Sequence, residues 1–122
     1  MSDQDREVCT APLNFSWIYE NKLAAMACPS TPQNLNYIVR HGVKHLVTLS
    51  PESVPPLALC PLLKSTIIPL AEFSAPTIQQ MNQFIKLCEE GHSRNEIIGV
   101  HCRQGLGRTG VMLACYFVYF NK

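Results

Sequence analysis

Charge is scarce in this chain: Asp, Glu, Lys and Arg make up 16% of 122 residues and sum to +1 at neutral pH. So few charges, so evenly balanced, exclude the broad basic face that nucleic-acid binders carry, and any attraction for an anion has to be local. Nucleic acid is therefore not an expected partner. Long apolar runs are missing too. The longest, Val111 to Phe120, is about half of what crosses a bilayer, so no membrane association is expected. Six cysteines are present, at 9, 28, 60, 88, 102 and 115, but none are closely paired and no apolar leader precedes them. That spacing excludes a disulfide scaffold and predicts reduced thiols. Clustered metal ligands are likewise lacking. Of the histidines at 41, 45, 92 and 101, only His101 has a cysteine beside it, so neither a metal nor another cofactor is expected. The opening MSDQDREVCTAPLN has no signal-peptide core, which predicts a cytoplasmic protein with the nucleus also open to it.

What is present is a hydrophobic share of 47%, enough for one globular domain and too little chain for two. Residues 1–13 read as a mobile tail and 14–122 as the domain. NFSWIYENKLAAMA alternates about Glu20-Asn21 as a two-stranded ribbon does. A helix is predicted from Pro32 to Arg40, capped by Thr31 or Ser30, with Leu35, Ile38 and Val39 inward and Gly42 as its stop. Strands are predicted over Lys44 to Leu49, over Ser65 to Leu70 (buried on both faces) and over Ile97 to Val100, and a proline-punctuated loop over 51–61. Thr77 with Gln80 forms a capping box for a helix with Ile78, Met81, Phe84, Ile85 and Cys88 on one face, ending before Gly91. A last helix, Thr109 to Phe120, is apolar on almost every side. Helices alternating with short apolar strands give an α/β fold, a largely parallel central sheet flanked by helices. Ligands in such sheets bind beyond the carboxyl ends of the strands.

The loop at that place is HCRQGLGRTG, residues 101–110. Its pattern is C-x5-R-T between strand and helix. A loop of this length can curl so that the amides of Arg103, Gln104, Gly105, Leu106, Gly107 and Arg108 face inward as a nest for an anion. Gly105 and Gly107 accept positive φ and let the backbone approach a ligand, and Gly110 is expected to let the helix pack closely on the sheet. Arg108 would bind two phosphate oxygens with its planar fork. The same positive field would lower the Cys102 pKa from about 8.5 to somewhere between roughly 3.5 and 7.5, making it the nucleophile. Thr109 is positioned to donate its hydroxyl to that sulfur as it leaves. His101 reads as structural support for the loop and Arg103 as a rim charge attracting anions. No G-x4-G-K-[ST] can be written here, so an ATP-binding loop is excluded.

At H-C-R-Q-G-L-G-R-T-G the sequence resembles the cysteine-dependent protein tyrosine phosphatases, whose signature is H-C-x5-R-[ST]. NFSWIYENKLAAMACPSTP, HGVKHLVTLS and the segment from Ile68 to Phe84 narrow the resemblance to their small atypical dual-specificity members, over about Asn14 to Tyr119. The resemblance implies that superfamily's three-layer sandwich. It also implies metal-independent hydrolysis of phosphotyrosine, and of phosphoserine or phosphothreonine, in protein substrates, with Cys102 as nucleophile and Arg108 as phosphate binder.

The chain departs from that family in two places. Where the family carries an aspartate general acid in a pattern like I-P-D-F, this chain reads Leu70-Ala71-Glu72-Phe73, and its only aspartates are Asp3 and Asp5. Glu72 is thus the candidate acid, one methylene longer, with reduced turnover expected. Relatives also continue past the loop helix, whereas this chain ends at Asn121-Lys122. A C-terminally shortened domain is the expectation, weakly stable or with a partner over its apolar last helix. Two other readings stay open: a feeble relative that merely binds phosphorylated partners, and a rhodanese-like sulfur transferase.

Overall fold

The computed structural model describes residues 9–104 and 106–120. Five strands form one sheet in the order β1-β2-β5-β3-β4: β1 Ser16–Tyr19, β2 Leu23–Ala27, β3 Val43–Thr48, β4 Lys64–Ile67 and β5 Ile97–Cys102. The β1–β2 pair is antiparallel and the other three pairings are parallel, which is the largely parallel sheet the alternation of elements predicts. Three helices, α1 Pro32–Arg40, α2 Ile78–Ser93 and α3 Gly107–Phe120, cover it.

Strand alternation sorts the core into two layers. In β2, Leu23 and Ala25 face a cluster with Phe84 of α2 and Met112 and Tyr116 of α3, while Ala24 and Met26 face Leu35 and Ile38 of α1. Burying an aromatic of this kind contributes roughly 1.5–3 kcal/mol, so Phe84 and Tyr116, both closed to solvent, are principal anchors of their helices. In β5 the row Ile98, Val100, Cys102 belongs to the α2–α3 layer. Cys102 therefore continues a core-facing row to the end of the strand where α3 begins.

Several boundaries differ from the sequence reading. The expected mobile tail lies outside the described residues as far as 8, but the residues after it are tied down: Thr10 N–H donates to Gln33 O at 3.1 Å, and Ala27 N–H to Leu13 O at 2.8 Å. β4 stops at Ile67 rather than Leu70, and it is an exposed edge strand rather than one buried on both faces. Pro69 cannot donate to a ladder, so the two buried residues, Ile68 and Leu70, lie past the strand proper. α1 buries Leu35 and Ile38 but leaves Val39 exposed. Its Thr31 cap is present, and Gly42 follows with φ 93, a left-handed value that glycine adopts without strain. α2 begins with its capping box, leaves Ile78 exposed, and runs through Gly91 to Ser93. Glycine is tolerated there because Ile98 occupies the place a Cβ would take. α3 starts two residues before Thr109, and its outer side leaves Val111, Phe117 and Val118 exposed. Among the described residues no helix is long and apolar enough to cross a membrane.

Candidate active site

Cys102 is the last residue of β5 and is almost wholly buried. The loop after it is pinned from outside. Arg103 O accepts from Cys28 N–H at 3.3 Å, and Gln104 O accepts from the Asn14 side-chain amide at 2.8 Å. In a planar trans peptide the following N–H points opposite to the carbonyl, so the first of these contacts turns the Gln104 amide away from β2. Asn14 holds its place with φ 57, a value asparagine tolerates better than most residues. Gly105 lies outside the described residues. Gly107 does not use the positive φ expected of it; among the described glycines only Gly42 does. A Cβ at Gly107 or Gly110 would meet nothing within 4 Å. The expected close packing of Gly110 on the sheet is therefore absent, because Gly110 faces outward on α3.

A cleft of about 580 Å³ is lined by Cys102, Arg103, Gln104, Gly107 and Arg108 on one side and by Glu72 and Phe73 on the other. Six of the residues singled out in the sequence thus meet in one space. Leu106 is not among them and projects into solvent. Glu72 arrives on a turn in which Ser74 N–H donates to Ala71 O at 3.3 Å. Phe73 beside it has φ 61 and a fully exposed ring, an outlying conformation for a bulky side chain. Glu72 Oε1 accepts from Arg103 Nη2 at 2.9 Å and more distantly from Arg108 Nη2 at 3.5 Å.

Arg108, in the first turn of α3, is buried, unlike most arginines. Its main partner was not foreseen: Glu52 closes a two-pronged pair on it, Nη1 to Oε1 at 3.0 Å and Nη2 to Oε2 at 2.6 Å. Leu70 O accepts a further bond from Nη1 at 3.1 Å. The hydrogen bonds from Arg108 hold the Glu52 carboxyl down to about pKa 2. In return the pair raises the Arg108 pKa, with weaker help from the charges of Cys102 and Glu72. The signal available in sequence was Ser50-Pro51-Glu52-Ser53, a turn sequence leaving β3, the neighbour of β5 in the sheet.

His101 faces the other side of the sheet from Cys102. Its Nδ1 lies 3.4 Å from Cys102 O, and Thr48 Oγ1 lies 2.8 Å from its Nε2. A carbonyl only accepts, so Nδ1 carries the hydrogen and the Thr48 hydroxyl donates to Nε2. Burial lowers the His101 pKa to about 4, which leaves a neutral ring bracing the strand end. Thr109 is buried, and its Oγ1 has no partner among the described residues. Cys88, closed in the core, has its thiol pushed up to about 12 by burial and is inert by comparison. Among the described residues no three His, Cys, Asp or Glu side chains are grouped to hold a metal.

Comparison with known proteins bears on the same region. The family model described as "Swiss Army Knife protein, DSP-PTPase phosphatase domain" matches residues 12–122. Human dual specificity protein phosphatase CDC14C is 42% identical over 48 residues, 39% of this chain and 10% of that protein. Tyrosine-protein phosphatase cdcA of Emericella nidulans is 31% identical over 87 residues, 70% of this chain and 15% of that protein. The chain thus spans a small part of the length of these curated relatives. In structure it is similar to the core catalytic domain of the PP-IP phosphatase SIW14 of S. cerevisiae, with a TM-score of 0.76 at 21% identity over 93% of this chain and 71% of the other. That likeness shows a shared fold with the phosphatase sandwich. With the family model matching nearly the whole chain, this protein belongs to the dual-specificity phosphatase domains of the protein tyrosine phosphatase superfamily.

Proposed function

We propose that the chain is a protein phosphatase that hydrolyses phosphotyrosine, and phosphoserine or phosphothreonine, through a cysteinyl-phosphate, without a metal. The observation that carries this is the meeting of Cys102, Arg108 and Glu72 on one cleft at the carboxyl end of β5. The Cys102 sulfur attacks phosphorus while Arg108 and the amides of residues 103–108 hold the non-bridging oxygens. The P–O bond to the substrate breaks, and Glu72 gives its proton to the departing oxygen. Water then attacks the S–P bond, Glu72 takes a proton back, and orthophosphate leaves. Thr109 supplies a hydroxyl to the departing thiolate.

Phosphorylated proteins in the cytoplasm or nucleus are the substrates this reading implies. The cleft wall from Glu72 to Ala75 is short, which supports tolerance for more than one phosphorylated side chain. The test is turnover of p-nitrophenyl phosphate in the presence of a chelator, with a burst of the phenolate equal to the enzyme concentration. Turnover must vanish in Cys102→Ser; activity surviving that change rules the scheme out. The pairing of Glu72 with Arg103 favours one second reading, a module that binds phosphorylated partners and turns over poorly. Tight binding of a phosphopeptide with no burst would select it.

A further inference from the structure

A backbone loop receives an anion on its amides, and a carbonyl oxygen turned inward would repel the charge those amides attract. Successive carbonyls after Cys102 are held outward in this chain, by different means. Arg103 O accepts from the backbone N–H of Cys28, at the end of β2, across 3.3 Å. Gln104 O accepts from a side chain, the Asn14 amide, at the shorter distance of 2.8 Å. Neither donor is among the residues that line the cleft, so both carbonyls turn away from it.

The segment that carries Asn14 is itself held at each step. Thr10 N–H donates to Gln33 O at 3.1 Å, and the Asn34 side-chain amide donates to Thr10 O at 2.9 Å, which ties the segment to the first turn of α1. Leu13 O accepts from Ala27 N–H at 2.8 Å, and Ala27 is the register partner of Cys102. Pro12 is buried, and Phe15 N–H closes a turn onto its carbonyl at 3.3 Å. Phe15 then packs edge-on against Trp17 and Tyr37, with ring centroids 5.6 and 5.2 Å away. Inside that turn Asn14 has φ 57. Glycine adopts such a value most easily but has no side chain to donate, and aspartate tolerates it but when ionised only accepts. Asparagine meets both demands. Its side chain is exposed, so it is not there to fill the core.

We propose that Asn14 is a positioning residue for anion binding: its side-chain amide keeps the Gln104 carbonyl turned out of the loop that receives the substrate phosphate. This rests on the phosphatase reading for the name of the anion but not for its test, which reads anion binding directly. Without the donor the Gln104 carbonyl is free to turn, and conformers with an oxygen toward the anion compete with the one that binds. Apparent affinity then falls in proportion to the binding-competent fraction.

Calorimetry of tungstate binding to the full chain tests this, with the unsubstituted protein set against Asn14→Gly, which keeps the positive φ and removes the donor. Asn14→Asp is the second variant, of the same shape but with an acceptor facing an acceptor. Asn34→Ala is the control, since it removes the other side-chain bond of the segment and leaves the Gln104 contact in place. Melting temperature, and kcat and KM for p-nitrophenyl phosphate, are followed in all. The expected result is tungstate affinity lower by about two- to tenfold in Asn14→Gly, the worth of one ordinary hydrogen bond, lower still in Asn14→Asp, and unchanged in Asn34→Ala. KM should rise by the same factor as the tungstate Kd while kcat is kept, because the lost bond acts on the population of the free protein. A purely structural role would lower melting and leave the affinity of the folded protein alone. Unchanged or tighter tungstate binding in the Asn14 variants therefore overturns the proposal. An equal loss in Asn34→Ala overturns it as well, because the effect would then belong to the whole segment and not to the Asn14 donor. Absence of tungstate binding by the unsubstituted chain overturns it too. Tungstate binding without any turnover defeats the phosphatase reading alone, and the Asn14 comparison still stands or falls on affinity.

Discussion

Thr48 and His101 are register partners on β3 and β5, and the Thr48 hydroxyl donates to His101 Nε2 across 2.8 Å with both side chains closed to solvent. A protonated His101 would have to carry its charge in a buried place, with a second N–H aimed at a hydroxyl already donating. That is the physical content of its lowered pKa.

Stability should accordingly fall on mild acidification. Between about 6.5, the ordinary value, and about 4, the folded value, the unfolded chain binds a proton that the folded chain refuses. Stability is fully present above 6.5 and decreases as pH drops through that window, by on the order of 3 kcal/mol for this group. His45 and His92, also shifted down chiefly by burial, act in the same direction. Urea midpoints at pH 7 and pH 5 check this, and His101→Asn should remove the largest part of the difference. Equal midpoints at the two pH values in the unsubstituted chain would refute it.

The orphaned Thr109 hydroxyl separates stability from catalysis. Thr109→Val keeps the shape and removes a buried polar group that has no partner among the described residues. Melting should stay level or rise, since an unsatisfied buried hydroxyl costs about 1–3 kcal/mol. In the proposed mechanism the hydroxyl serves the departing sulfur in the second step, and on that proposal steady-state turnover should fall while the burst remains. A lowered melting temperature with normal turnover would give Thr109 a structural role instead.

In the proposed mechanism Glu72 carries the proton in the first step, so on that proposal Glu72→Gln should slow alkyl phosphates by about 10²–10⁴ and phenolates with good leaving groups far less. Glu72→Asp, one methylene shorter, also gives up the 2.9 Å contact to Arg103. It should raise turnover of an alkyl phosphate above that of the unsubstituted enzyme. The comparison across leaving groups is the measurement, and a Glu72→Asp enzyme no faster on the alkyl ester contradicts the assignment.

Gly91→Ala places a Cβ 2.6 Å from Ile98 Cδ1 and 3.1 Å from its Cγ1. Helix propensity favours alanine by about 1 kcal/mol, but overpacking a closed core costs about 1–3 kcal/mol. Ile98 is fully buried between α2 and the sheet and has little room to move. A lower denaturation midpoint is expected, restored by the second change Ile98→Val, which shortens the offending side chain.

Much of the molecule is legible in its residues one stretch at a time. The Thr77–Gln80 capping box, the Thr31 cap and the apolar rows of α1 and α2 are local, because caps and periodicity act within a turn or two of chain. The order of elements implied the parallel sheet, and C-x5-R-T at a strand end pointed to Cys102 and Arg108. Elements that depend on a neighbour in space were misread. The stretch Ser65 to Leu70 reads in sequence like a central strand, yet the strand formed there, β4, lies at the sheet edge, and position in a sheet is not written in a strand's own composition. Gly91 looked like a helix stop until Ile98 filled its place. Glu52 was passed over because a carboxylate 56 positions from its arginine leaves no trace in local spacing. Composition and short-range pattern determined which segments would be helix, strand and anion loop. Which carboxylate holds which edge of Arg108 was decided only when the carboxyl ends of β3 and β5 were brought side by side, because a hydrogen-bonded pair depends on distance in space and the chain between its members does not encode it.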